Sequence, residues 1–194
     1  MHSTTRLCAL FLLSLFVLRA TFAAEPTSAP RIGDLCKTLW NDCRHDLTVQ
    51  YRQADGSQYQ QTFPLTPPPV QNKTLVNVYA GETLRLAAKV EGDRIGELAT
   101  ASANDDPSHV IEISLKQQPA KPDMMLVIKN PFDRPLRYKA NIVVPPQNGP
   151  APTSVCPVLA GKMGIEMWPY PVFQALLLDF RFLPSLDSTN SRCE

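Results

Sequence analysis

The stretch Leu47-Thr48-Val49-Gln50-Tyr51-Arg52-Gln53-Ala54-Asp55-Gly56-Ser57-Gln58-Tyr59-Gln60-Gln61-Thr62-Phe63 decides the fold class. Leu47, Val49 and Tyr51 alternate with Thr48, Gln50 and Arg52, the period of two that places successive side chains on opposite faces of a strand. Ala54-Asp55-Gly56-Ser57 supplies an Asp-Gly turn, and Tyr59, Gln61 and Phe63 carry the pattern back on the far side. This predicts an antiparallel hairpin.

The same period recurs on either side of it. Residues 75–80 read as a strand stopped by Gly81, and Leu84, Leu86, Ala88 and Val90 alternate with Thr83, Arg85, Ala87 and Lys89 until Glu91-Gly92-Asp93 turns the chain. Residues 95–101 form a weaker strand ended by Asn104-Asp105-Asp106-Pro107, after which Ile111, Ile113 and Leu115 face away from Glu112, Ser114 and Lys116. Residues 124–129 are almost continuously apolar, as in a strand buried on both faces. Residues 130–133 break that run before Leu136, Tyr138, Ala140, Ile142 and Val144 resume alternation, so the two segments read as a hairpin at the centre of a sheet. Near the end, Leu176, Leu178, Phe180 and Phe182 alternate with Leu177, Asp179 and Arg181. A helix beginning at Pro171 would accommodate part of this segment, but alternation through Asp179 and Arg181 favours a strand.

Two proline clusters, at residues 64–69 and 145–152, are too dense for ladder-forming strands and read as loops or stiff extended links, the second separating a body from a tail. Many short strands with no long helical pattern and no internal repeat specify an all-β fold. The expected architecture is an antiparallel β-sandwich, immunoglobulin-like with Greek-key connections, stapled by two disulfides. Val127-Ile128-Lys129-Asn130-Pro131-Phe132-Asp133-Arg134-Pro135-Leu136 resembles the strand, Asn-Pro turn and strand of many immunoglobulin-like modules of exported proteins. That resemblance implies a fold and no function.

Compartment is written at the start of the chain. Arg6, an apolar run over residues 7–18 and small residues ending in Thr21-Phe22-Ala23 make the three-part pattern of a secretory signal peptide over residues 1–23, cleaved after Ala23. Arg19 interrupts the run too early for a spanning helix, which needs about 20 apolar residues. Cys8 lies inside the run and leaves with the signal. Residues 24–31 then read as a flexible leader and residues 32–194 as a single domain, with the Pro-rich link at 145–152 leading to a C-terminal segment. Removing 23 of the 194 residues leaves 171, enough for one ordinary core. Losing Arg6 and Arg19 from the 19 basic residues leaves 17 against 18 acidic ones, and without a Lys/Arg run the chain has no electrostatic footprint for nucleic acid or an anionic membrane. The expected location is periplasmic or secreted, with no membrane span after signal cleavage.

Four cysteines remain in the exported chain, and of three possible pairings Cys36 with Cys43 and Cys156 with Cys193 is preferred. His45 close to Cys43 raises the alternative of a metal site, but the Cys-x6-Cys spacing is wider than structural zinc uses and no second ligand pair accompanies it. Asn104, Asp105 and Asp106 offer oxygens to calcium and equally describe an ordinary turn. The expectation is therefore no metal and no cofactor.

No nucleophile elbow, His-Glu-x-x-His, P-loop or dinucleotide glycine pattern occurs. His45 and His109 are the only histidines after cleavage, and His109 beside Ser108 reads as a turn histidine rather than a catalytic base. No catalytic residue is assigned. The less ordinary constellation is Glu166-Met167-Trp168-Pro169-Tyr170-Pro171, two aromatics held between prolines. Trp168 and Tyr170 are candidates for a stacking platform or a protein anchor. The competing reading, and the favoured one, makes Trp168 a hydrophobic plug beneath the Cys156 bridge. Asn72-Lys73-Thr74 has the form of a glycosylation sequon. Taken together, these features lead to a non-enzymatic exported sandwich that binds an envelope or extracellular protein in an accessory, chaperone-like or inhibitor role, with a carbohydrate-binding module using exposed aromatics and a small secreted hydrolase as rivals.

Overall fold

The computed structural model describes residues 36–147, 149–185 and 191–194. The expected signal peptide over residues 1–23, the expected leader over 24–31 and the expected start of the domain at Ile32 lie outside the described residues. Twelve strands follow in order: β1 (Arg44–Arg52), β2 (Gln58–Thr66), β3 (Val70–Gln71), β4 (Leu75–Tyr79), β5 (Thr83–Glu91), β6 (Arg94–Thr100), β7 (Val110–Gln117), β8 (Met124–Lys129), β9 (Leu136–Val143), β10 (Ala151–Thr153), β11 (Met163–Trp168) and β12 (Gln174–Phe182). A short 3-10 turn at Pro107–His109 precedes β7.

One face of the sandwich is β3-β4-β12-β9-β10 and the other β6-β5-β7-β8-β11, all pairings antiparallel. The two faces join through β12 and β6 at Arg181↔Arg94, where Asp179 takes φ 57° and the β12 register shifts. Such a bulge adds twist and lets one strand serve two sheets. Val76, Val78, Ala175 and Leu177 from one face meet Leu86, Ile111, Ile113, Leu115, Leu126 and Ile128 from the other in a continuous buried core. The antiparallel sandwich and both disulfides, Cys36–Cys43 and Cys156–Cys193, are present as the sequence leads one to expect.

The opening hairpin is β1–β2, a separate two-stranded sheet turned by Gly56 at φ 87°. Val49 and Tyr51 bury one of its faces, and Tyr59, Phe63 and Tyr79 surround the edge of Phe173 at centroid distances of 6.2, 5.8 and 5.5 Å. Gln117 of β7 clasps the strand end, accepting from Arg52 N (2.7 Å) and donating to Arg52 O (2.8 Å). Arg44 ties the other end: Nη1 donates to Pro67 O (2.6 Å), Nη2 to Asn77 O, and the guanidinium pairs with Glu82 at 2.7 and 3.0 Å.

Three expectations change. β8 and β9 do not form a hairpin: β8 pairs with β7 and β11, β9 with β12 and β10, so residues 130–135 carry the chain from one face to the other. The cause is Asn130, buried beneath the crossing. Its Nδ2 donates to the carbonyls of Arg134, Val158 and Leu159 (2.9, 3.2 and 3.0 Å), and its Oδ1 accepts from Phe132 N (3.0 Å). Nor is β8 covered on both faces; Met124, Leu126 and Ile128 point into the core, but Met125 and Val127 are only half-buried. Pro64 and Pro152 sit within strands, β2 and β10, each at a sheet edge where a missing N–H costs no ladder bond. The segment after the second proline cluster is part of the sandwich, with β12 paired to β4 on one side and β9 on the other.

Candidate interaction edge

Among the described residues β11 is the last strand of its face, paired only with β8. Its inward residues are Gly164, Glu166 and Trp168. A Cβ at 164 would lie 2.6 Å from Val158 Cγ2, so any side chain there forces Val158 to move. Glu166 accepts from Cys156 N at 2.6 Å and so fastens the disulfide-bearing loop to the strand. Burial pushes its carboxyl above the usual carboxylate range, the Cys156 N–H opposing the rise. The same burial drives the Tyr138 hydroxyl strongly upward, the Glu166 charge adding to the effect. Trp168 is 6 % exposed and its Nε1 donates to Thr153 Oγ1 at 3.1 Å, which is the plug arrangement. Tyr170 is 37 % exposed and lines a separate shallow groove of about 390 Å³ with Tyr51, Asp55, Pro145 and Pro146. The structure does not bring Trp168 and Tyr170 together as one stacking surface.

The outward residues of β11 are Met163, Ile165 and Met167, exposed by 54, 51 and 54 %. Their cross-strand partners on β8 are Lys129, Val127 and Met125, giving a two-strand apolar face. Beyond it, β7 presents Glu112, Ser114 and Lys116, with Glu112 paired to Lys129 at 2.6 Å. Backbone phase adds a second property. Asn130 N donates to Lys162 O (2.9 Å), and together with the Met163↔Lys129 pairing this places the even-numbered residues of β11 in hydrogen-bonded pairs with β8. The N–H and C=O groups of Met163, Ile165 and Met167 therefore point away from β8, and among the described residues none has a partner. Such an edge is a template for another strand.

The chain matches no protein-family model, and comparison with curated proteins and with solved structures returns no match.

The remaining candidates fall elsewhere. His109 Nδ1 faces both Ser108 Oγ (3.0 Å) and Asp106 Oδ2 (3.3 Å) on the surface, whereas a serine relay uses the two ring nitrogens separately. Asp106 caps the 3-10 turn by accepting from Ser108 N (2.9 Å), and Asp105 accepts from Ser102 N. His45 Nε2 lies 3.0 Å from Trp40 O and its ring 4.4 Å from the Trp40 ring. Cys36 and Cys43, which flank Trp40, are bonded to each other. Among the described residues no group of three or more His, Cys, Asp or Glu is placed to hold a metal, and no helix is long and apolar enough to cross a membrane.

Sequence reasoning missed two features. Trp40, 58 % exposed in the Cys36–Cys43 loop, is the solvent-facing tryptophan. The Met163/Ile165/Met167 alternation carries a strand signal, but nothing local says that the strand lies at an edge with those residues outward.

Proposed function

We propose that this is an exported, non-enzymatic β-sandwich whose β11 edge and adjoining methionine-rich face bind another envelope or extracellular protein. The observation that carries the reading is the coincidence, on Met163, Ile165 and Met167, of exposed apolar side chains and outward main-chain groups. Methionine adapts its shape to varied partners, and an added strand supplies affinity through main-chain bonds with side-chain pockets for selectivity. Two disulfides are compatible with an extracellular or periplasmic setting, and the signal-like amino terminus supports export. The test is a photo-crosslinking residue at position 165 in the exported protein, with Arg85 on the same face as control. Adducts with a second protein species from position 165 and not from 85 are expected; no such adduct refutes the reading.

A second reading rests on Trp40, whose exposed ring lies 4.4 Å from the His45 ring; Leu39, its neighbour in sequence, lines a groove of about 520 Å³ with Asp42, Pro69, Asn72, Lys73 and Leu98. An exposed ring near polar side chains is the equipment of a carbohydrate site. Glycan retention lost in Trp40→Ala, with the fold intact, supports it; absence of retention by the parent protein rejects it.

A further inference from the structure

We infer that the occupant of the β11 edge in the free protein is the β11 edge of a second copy, paired antiparallel across a two-fold axis at Ile165. This rests on the reading of β11 as an interaction edge and adds that another protein must compete for it.

Register decides the pairing. Residues facing each other across an antiparallel pair lie on the same side of the sheet, so a two-fold axis perpendicular to the strands must sit on a residue opposed to itself. Four positions are available on the strand interior, of which Met167 sets Ile165 against Pro169, a residue without an N–H. With Ile165 opposite Ile165, Met163 faces Met167 and all three outward residues meet outward residues. Every outward N–H and C=O of β11 then finds a partner, since those groups belong to the odd-numbered positions. Centring on Gly164 sets Met167 against Gly161, whose N–H already donates to Phe132 O (2.8 Å). Centring on Glu166 sets Met163 against Pro169, which has no N–H, and opposes two carboxylates directly. Gly161 and Pro169 thus bracket a strand whose only saturated self-pairing is centred on Ile165.

The side chains agree with that register. On the outer face Met163, Ile165 and Met167 of each copy meet their counterparts, joining the two apolar stripes. On the inner face each Glu166 lies opposite the other copy's Gly164, the bulky residue over the one without a side chain. Lys162 falls at the diagonal of the other copy's Glu166 and offers it an opposite charge. The two Glu166 carboxylates, also diagonal, are each turned back onto their own Cys156 N–H.

The experiment uses the full exported chain with both native disulfides formed. In an antiparallel hydrogen-bonded pair, opposed Cα atoms lie about 5.5 Å apart, within disulfide range. Ile165→Cys is therefore expected to give a covalent dimer on mild oxidation, Met163→Cys alone is not, and a mixture of Met163→Cys with Met167→Cys is. Sedimentation equilibrium of the unmodified protein should show reversible dimers that Ile165→Lys, with like charges opposed at the axis, reduces at least tenfold in association constant. A monomer at every concentration, or cross-linking that ignores position, overturns the inference. If photo-crosslinking at 165 still captures a different protein in that case, the proposed function stands without it. If the only adduct is a second copy, the self-pairing stands and the heterologous reading falls.

Discussion

Replacing Glu82 tests how the opening hairpin is held to the sandwich. The Arg44 and Glu82 side chains are 9 and 14 % exposed, and the pair spans the junction between β1 and the β4–β5 turn. Glu82 also accepts from Tyr79 N at 2.8 Å. Glu82→Leu leaves the Arg44 guanidinium with carbonyls at Pro67 and Asn77 but no counter-charge. Breaking a buried pair by removing one partner costs about 3–5 kcal/mol, whereas replacing both partners by apolar groups is often close to neutral. We therefore expect Glu82→Leu to lose about 3 kcal/mol, toward the lower end because two carbonyl contacts survive. Arg44→Met with Glu82→Leu should recover most of that loss. For a domain of this size the single substitution corresponds to a fall in Tm of roughly 6–12 °C. Urea unfolding of the oxidised protein gives the free energies, and amide exchange locates the effect. A two-stranded sheet has marginal stability alone, so β1 and β2 should exchange first. A single-mutant loss below about 1 kcal/mol, or additive single losses in the double mutant, would show that the pair is a surface decoration of the kind that contributes little.

Three further outcomes follow from the same geometry. Glu166 has a folded carboxyl raised above its reference of 4.5, so the folded state holds the proton more tightly and its contribution to stability declines as pH rises through 4.5 toward the raised value. Glu166→Gln keeps an acceptor for Cys156 N and should gain on the parent protein above that window while matching it near pH 4; a pH-independent difference in urea midpoint would contradict the burial argument. The Cys156–Cys193 bridge closes a separation of 37 residues against 7 for Cys36–Cys43, so chain entropy assigns it about 4 kcal/mol against about 2. Removing each pair in turn as Ser should show that order by thermal unfolding, and the reverse order would count against the entropic account. Gly164→Ala forces a methyl against Val158 and should cost about 1–3 kcal/mol, relieved by adding Val158→Ala; no relief in the double mutant would show that the contact is not the cause.

Strand identity was legible along most of the chain because alternation is a local property: Leu47/Val49/Tyr51 and Leu84/Leu86/Ala88 each record which face meets the core. The preferred cysteine pairing is the one observed, although the sequence left three pairings open. Trp168 showed its ambiguity openly, as plug or platform, and only the packing against Thr153 resolves it. The apolar run of β8 misled for a physical reason. A strand next to an edge whose outer face meets another apolar strand has the same composition as one sandwiched between layers, and no single segment distinguishes them.

The sequence alone carries the material: antiparallel strands, the turns between them and four cysteines spaced for two disulfides. What the tertiary structure decided is neighbourhood. Whether residues 130–135 turn back or cross over depends on carbonyls supplied by Val158 and Leu159, far along the chain. Whether Met163, Ile165 and Met167 are core or surface depends on β11 being, among the described residues, the last strand of its sheet. Hydrophobic periodicity encodes which side of a strand is apolar, but the strand order that leaves one edge open is a sum over contacts distant in sequence, and it exists only once the chain is folded.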